Sequence, residues 1–341
     1  MNSTMMNHSD KFGQLNDTLP GIAGGSDIDS DIYRKLSILL IWFAHMEVVL
    51  STLAIVFGSV VLIVIATQRS FHSVTHYFIA SLMLADMGMA LCVLVEGCLF
   101  LSTDSQIFTS CGGLNKYLQH VAYQMSCSSL ILLTFTRYDA IINPLRSINR
   151  WTTARIASVI CFSWLLSFLL HIPSYFQVCN PTTALDISLQ MYIYSIMFLF
   201  PSILLFFCYA RILCRVVGNT FRKKQLAATR AARPASHAKM TRMVLAILLI
   251  FFLFRAPRST FILHKFLTGW KSVRWFEDLI LLLSFITLEH LNCVLDPFIY
   301  ALSAPQFKKY LAKTMQCCKK FQEKKDKEVS KTVSTEISTR I

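Results

Sequence analysis

Charge is scarce in this chain. Only 15% of its residues are Asp, Glu, Lys or Arg while 54% are apolar, whereas soluble domains carry about a quarter charged residues. Several buried helices inside one soluble domain would need far more polar sequence to cover them. Also missing are a glycine-rich phosphate loop, a His-Glu-x-x-His zinc pair and a nucleophile elbow, so no catalytic arrangement is visible and the expectation is not an enzyme. The cysteines form no metal constellation. No internal repeat of the kind that builds many transporters is present. The residues up to Tyr33 are polar and acidic, without the apolar core of a cleaved signal peptide.

What is present is a series of long apolar windows. They fall near Leu36–Thr67, His76–Leu101, Gly113–Ile142, Thr152–Tyr175, Leu189–Val217, Met240–Phe266 and Trp275–Leu302. Each is long enough for a hydrocarbon layer about 30 Å thick. The expected fold is an all-α membrane protein: a seven-transmembrane helix bundle over residues 36–304, after a tail at 1–35 and before a cytoplasmic segment at 305–341.

The formal net charge of +14 does not indicate nucleic acid, because the basic residues have another address. Arg211, Arg215, Arg222, Lys223, Lys224, Arg230, Arg233, Lys239 and Arg242 flank or fill one loop, and lysines from Lys308 to Lys327 follow the last window. In a seven-span layout both regions face one side, and positive loops mark the cytoplasm. Arg34 and Lys35 oppose this and are outnumbered. Three glycosylation acceptors, at Asn2, Asn7 and Asn16, place the first tail outside.

Six cysteines, Cys92, Cys127, Cys161, Cys208, Cys214 and Cys293, lie in or beside spans and read as core residues. Cys111 and Cys179 fall on the outer side, where a disulfide persists, with Cys98 as a rival partner. Cys317 and Cys318 follow an amphipathic stretch among lysines and read as palmitoylation sites that pin it to membrane lipid, or as free thiols.

The chain is organised around Cys111–Leu145. Gln119, Tyr123, Ser126, Leu130, Leu133 and Arg137 recur at spacings of four and three and share one helix face. That face is polar, then apolar, then cationic. In lipid such a face must look into a bundle or a water-filled cleft. Asn292 and Asp296 share a face one turn apart. With Asp86 they place two carboxylates in the membrane, which bind a cation, share a proton or form a structural hydrogen-bond knot.

Motifs in fixed order then carry a resemblance. They are Leu82, Ala85 and Asp86; Arg137, Tyr138 and Pro144; Trp164 and Pro173; Pro201 and Tyr209; Phe251 and Pro257; and Asn292, Asp296-Pro297-Phe298-Ile299-Tyr300, then Phe307. Over Leu36 to Cys318 the chain resembles the rhodopsin-like (class A) G protein-coupled receptors, without a resolved subfamily. The resemblance implies an extracellular ligand, heterotrimeric G proteins as partners, and a short amphipathic eighth helix. It implies that Arg137, Tyr138, Pro257, Tyr209 and Tyr300 form the coupling and switch machinery. It also makes Asp86, Ser126, Asn292 and Asp296 a pocket for a sodium ion, the one cofactor expected.

Departures from the family pattern matter as much. Ser59 replaces an asparagine in the first span, as a shorter partner for Asp86. Thr136 replaces the acid before Arg137, so the arginine lacks its usual counter-charge and basal signalling should be raised. Arg255 replaces a tryptophan two residues before Pro257. A cation there needs a partner, with Glu289 as first candidate and Asp86 as second.

The expected ligand pocket comprises Glu96, Gln119, His120, Tyr123, Gln124, Arg255, Arg258, Glu289 and His290, with His264 beside it. Gln119 stands where amine receptors carry an aspartate, and His290 where visual pigments carry the retinal lysine. A monoamine and retinal are therefore excluded, while a small organic acid, a peptide or a lipid stays open. The serine- and threonine-rich tail is too polar to fold; phosphorylated, it would recruit arrestin in resembling receptors. Its end, Thr339-Arg340-Ile341, fits a PDZ domain by strand addition. Two other readings stand beside this one: a receptor-like protein acting constitutively or by heteromerisation, and a transporter or channel.

Overall fold

The computed structural model describes residues 28–102, 105–142, 147, 149–179, 191–225, 235–268, 275–303, 307, 310, 312 and 316. Among them every regular element is a helix. The elements are α1 (Ile28–Thr67), a 3-10 turn (Arg69–Phe71), α2 (Val74–Leu101), α3 (Ser105–Ile142), α4 (Thr153–Leu170) and α5 (Ile172–Cys179). A π turn (Ser195–Leu199), α6 (Phe200–Gln225), α7 (Ala235–Thr268) and α8 (Trp275–Ser303) complete the order. Several helices overrun the apolar windows, because backbone hydrogen bonding continues past the point where hydropathy falls.

Six of these helical segments are long and apolar enough to cross a membrane. The helix outside that set is α3, whose polar residues dilute its apolar content. It is nevertheless the hub, packing against α2, α4, α5, α6, α7 and the π turn. Helix α1 packs on α2 and α8, and α7 on α8, closing the bundle around it. A sheath of neighbours lets α3 carry polar groups that lipid would not accept. The outward surface is the opposite: Trp42, Phe162, Phe206 and Leu249 are more than 60% exposed. In water such a surface would drive aggregation; in a bilayer it faces matching solvent.

Two prolines shape the spans. The fourth window breaks at His171, because Pro173 has no N–H for the Leu169 carbonyl, and Ser174 N–H instead bonds to His171 O at 3.0 Å. Pro201 likewise has no N–H to offer the Met197 carbonyl. The chain widens into the π turn just before it, and the Cys127 thiol donates to Met197 O at 3.6 Å. Small residues set the α1–α2 distance: a Cβ on Gly97 would stand 2.8 Å from Val48 Cγ2, the close approach that membrane helices favour.

Leu82, Leu130, Leu133, Ile247, Phe251 and Tyr300 meet in one buried core. Phe307, just beyond α8, is buried with its ring 5.7 Å from Tyr300 and 6.3 Å from Phe71. The rest of the expected amphipathic helix lies mostly outside the described residues, as do Pro144, Cys317, Cys318 and the acceptors at Asn2, Asn7 and Asn16. The backbone at Cys111 and Cys179 is helical, but their side chains lie outside the described residues. Cys98 is a free, exposed thiol.

Candidate functional site

A cavity of about 530 Å³ opens between α1, α2, α3, α7, α8 and the π turn, at the end of α3 remote from Arg137. Leu40, Met89, Val93, Met197, Leu283 and Ile286 give it apolar walls. Into these project three pairs of ionisable groups. Lys116 Nζ lies 2.9 Å from Glu96 Oε1 and donates to Gln119 Oε1 at 3.2 Å. Gln119 Nε2 donates to Glu96 Oε2 at 2.5 Å, so lysine and glutamine hold one carboxylate between α2 and α3. Arg258 Nη1 donates to Glu289 Oε2 at 2.5 Å, joining α7 to α8. His290 Nδ1 and Glu47 Oε2 form a short contact joining α8 to α1.

Each pair answers the cost of an isolated charge in a low-dielectric interior. Counting charges, Glu47, Glu96 and Glu289 oppose Lys116 and Arg258, so the lining is net negative by one when His290 is neutral. Such a site offers cationic and anionic partners to a ligand. Each is already engaged and is released only when the ligand supplies a substitute.

Seven of the nine expected pocket residues line this cavity: Glu96, Gln119, His120, Tyr123, Arg258, Glu289 and His290. Gln124 does not. It is one residue beyond Tyr123, turned about the helix axis, and buried with Oε1 unpartnered among the described residues. Arg255 is also outside the lining, deeper in the bundle, and His264 is exposed. Glu47 and Lys116 were missed. An acid inside the first apolar span was the available signal for Glu47.

The expected Arg255–Glu289 pair is replaced. Glu289 takes Arg258, three residues further along α7, and among the described residues Arg255 has no carboxylate partner at ion-pair distance. Its guanidinium, in a residue only 2% exposed, lies over the Tyr123 ring at 3.9 Å and near the Phe251 ring at 4.8 Å. Nη2 donates to Ser126 Oγ at 3.3 Å and Nη1 to Cys127 Sγ at 3.4 Å. Two aromatic faces and two soft acceptors thus hold this cation. The expected Ser59–Asp86 contact is absent too: Ser59 Oγ points to Met87 Sδ at 4.0 Å.

Asp86, Ser126, Asn292 and Asp296 are all buried. Asn292 Nδ2 donates to Asp296 Oδ2 at 3.0 Å. Both Asp86 oxygens, Asp296 Oδ1 and Asn292 Oδ1 have no hydrogen-bond partner among the described residues. Leu130 and Leu133, each 0% exposed, close the bundle beneath this region.

At the far end Arg137 is buried, and its Nε has no partner among the described residues. Thr136 Oγ1 turns away to donate to Leu133 O at 2.8 Å. The nearby acid is Asp139, but it is committed elsewhere: Arg150 Nη1 donates to it at 3.1 Å and Trp151 Nε1 at 3.2 Å. This tie joins α3 to the residues just before α4, and the sequence reading missed it. Tyr138 stacks on Phe135, Tyr209 is half-buried, and Tyr300 is fully buried with its hydroxyl unpartnered among the described residues.

A helical bundle around a polar central helix, with a cavity at one end and a buried arginine at the other, is an architecture that suits a membrane receptor. The match to the model of the 7 transmembrane receptor (rhodopsin family) spans residues 58–300, and the chain belongs to that family. It is similar to the tachykinin-like peptides receptor 86C of Drosophila melanogaster, 26% identical over 78% of this chain and 56% of the relative. It is also similar to the KiSS-1 receptor of Mus musculus, 24% identical over 80% and 74% respectively. The blue-sensitive opsin of Anolis carolinensis is 26% identical over 82% of this chain and 81% of its own length. The chain spans just over half the length of the first of these. It is a multi-pass membrane protein.

Proposed function

We propose that this chain is a plasma-membrane receptor that carries an extracellular peptide signal to heterotrimeric G proteins, with the first tail outside and the last inside. The observation that carries the reading is the cavity's lining of matched ion pairs, Lys116–Glu96, Arg258–Glu289 and His290–Glu47. A lipid chain would desolvate these groups without replacing their bonds, and a small acid would use only the cations. A peptide terminus, with amide donors and acceptors and charge of either sign, exchanges with both members of a pair. One of the similar receptors carries peptides in its name, the tachykinin-like peptides receptor. Gln119 in place of an acid argues against a monoamine, and His290 in place of a lysine against retinal.

In this reading a ligand that displaces Arg258 from Glu289 frees α7 against α8. Pro257 and the tyrosines Tyr209 and Tyr300 relay the movement, and Arg137 with Tyr138 meets the G protein. The amphipathic segment with Cys317 and Cys318, arrestin at the phosphorylated tail and a PDZ domain at Ile341 complete the proposal. The test is a screen of peptides read by G protein recruitment, with Arg137→Ala as the silent control. A response to a peptide that is lost in Glu289→Gln supports the reading; a response only to lipids or monoamines overturns it.

A second reading rests on a separate observation. Among the described residues Arg137 has no carboxylate partner, which favours signalling without ligand. Agonist-free nucleotide exchange by purified receptor and G protein decides between the two.

A further inference from the structure

Two histidines meet where α3 passes the break between α4 and α5. His120, on α3, lines the cavity, and His171 is the residue at which the fourth span breaks before Pro173. Their ring centroids are 5.8 Å apart, with the planes inclined at 53°. His171 is 0% exposed, and neither of its ring nitrogens has a hydrogen-bond partner among the described residues. His120 Nδ1 has none either. Ser174, one turn further along and 2% exposed, carries a hydroxyl in the same condition. Four unpartnered buried polar atoms thus fall on three residues around one helix junction.

A neutral imidazole always carries one N–H to donate and one lone pair to accept. Two buried rings in contact would ordinarily bond each other or nearby backbone, because an unmade bond in the interior is costly. Orphaned groups of this kind call for an ion or a water between them. The ring spacing suits an ion. Metal–nitrogen bonds of about 2.0–2.1 Å at a near-tetrahedral angle bring two imidazole centroids to roughly 5–6 Å, so the observed 5.8 Å needs little movement. Imidazole nitrogens favour zinc, copper and nickel, whereas magnesium and calcium take oxygen ligands.

The surroundings admit such an ion. His120 stands in the cavity wall, which gives a path of entry, and the lining is net negative by one when His290 is neutral, which favours a cation. Among the described residues no third histidine, cysteine or carboxylate gathers with the pair. The shell is therefore open, with positions left for water or for a donor atom of a bound ligand, unlike the closed four-ligand shell of a structural zinc site. An open shell makes the ion exchangeable.

We infer that His120 and His171 form a two-histidine site for a divalent transition metal such as zinc, entered through the cavity. An ion shared by the two rings pins the break at Pro173 to α3. It strengthens the contact of α3 with α4 and α5 at the cavity wall, so zinc stabilises the receptor whatever the chemistry of its ligand.

The test uses the full chain in lipid nanodiscs, with thermal unfolding followed as zinc chloride is titrated and with magnesium chloride as the comparison. The native receptor is expected to show a rise in unfolding temperature that saturates with zinc and is absent with magnesium, since an ion that binds the folded state stabilises it. His120→Phe and His171→Phe keep a ring and lose its nitrogens, and each is expected to abolish the rise. No rise in the native receptor overturns the inference and leaves water between the rings. A rise that survives in either variant also overturns it, because the zinc then sits on other histidines. Should a variant fail to fold, X-ray absorption of the native receptor loaded with one equivalent of zinc decides: scattering from two imidazoles supports the site, and any other first shell overturns it.

Discussion

Arg258 and Glu289 are joined across the gap between α7 and α8, with Nη1 and Oε2 2.5 Å apart and the carboxylate side chain only 3% exposed. The pair stands at the inner wall of the cavity, so any ligand that reaches it acts on two spans at once. Removing one partner of such a buried pair costs about 3–5 kcal/mol, because the survivor is left unpaired.

Glu289→Ala should therefore lower the unfolding temperature and surface expression more than Arg258→Ala, whose partner loss leaves a carboxylate that can take a proton. The exchanged double variant Arg258→Glu/Glu289→Arg should recover part of the loss. Thermal unfolding in a four-member mutant cycle measures it, and additivity of the two single changes would reject the pairing.

Thr136→Asp supplies Arg137 with the neighbouring carboxylate it lacks. Basal nucleotide exchange on a reconstituted G protein should fall several-fold, since an interaction of about 1–2 kcal/mol shifts a two-state equilibrium roughly 5–30-fold. Unchanged basal output would reject the idea of a loosened lock.

Asp139 holds Arg150 and Trp151 together. Asp139→Asn keeps the shape and loses the charge, and should cost about 1–3 kcal/mol of stability. The discriminating readout is proteolysis of the segment between α3 and α4, which should quicken while the cavity is unaffected.

Gly97 and Gly88 make a paired test of the α1–α2 contact. A methyl on Gly97 meets Val48 Cγ2 at 2.8 Å, whereas one on Gly88 meets Ala122 Cβ at 3.8 Å. Gly97→Ala should lose about 1–3 kcal/mol by overpacking and Gly88→Ala should be near neutral. Equal unfolding temperatures for the two would reject the close approach.

The spans, the buried face of α3 and the family itself were legible in the sequence, because hydropathy and helical period are local properties. So was the acidic cluster, since Asp86, Asn292 and Asp296 each stand where lipid would reject them without partners. Which arginine meets Glu289 was not legible. Arg255 and Arg258 are three residues apart and share a face, but they differ in depth by about 4.5 Å, and Pro257 between them redirects the helix. Periodicity gives a face and no depth.

The sequence by itself determined that the chain is a bundle of membrane helices with charges it must hide. Only the tertiary structure decided how they are hidden: Arg258 with Glu289, His290 with Glu47, Asp139 with Arg150, and Arg255 against two aromatic rings. The physical reason is one of range. Burial of apolar windows is settled within a single helix, whereas the partner of a buried charge is fixed by the relative height and rotation of two helices, which no single segment encodes.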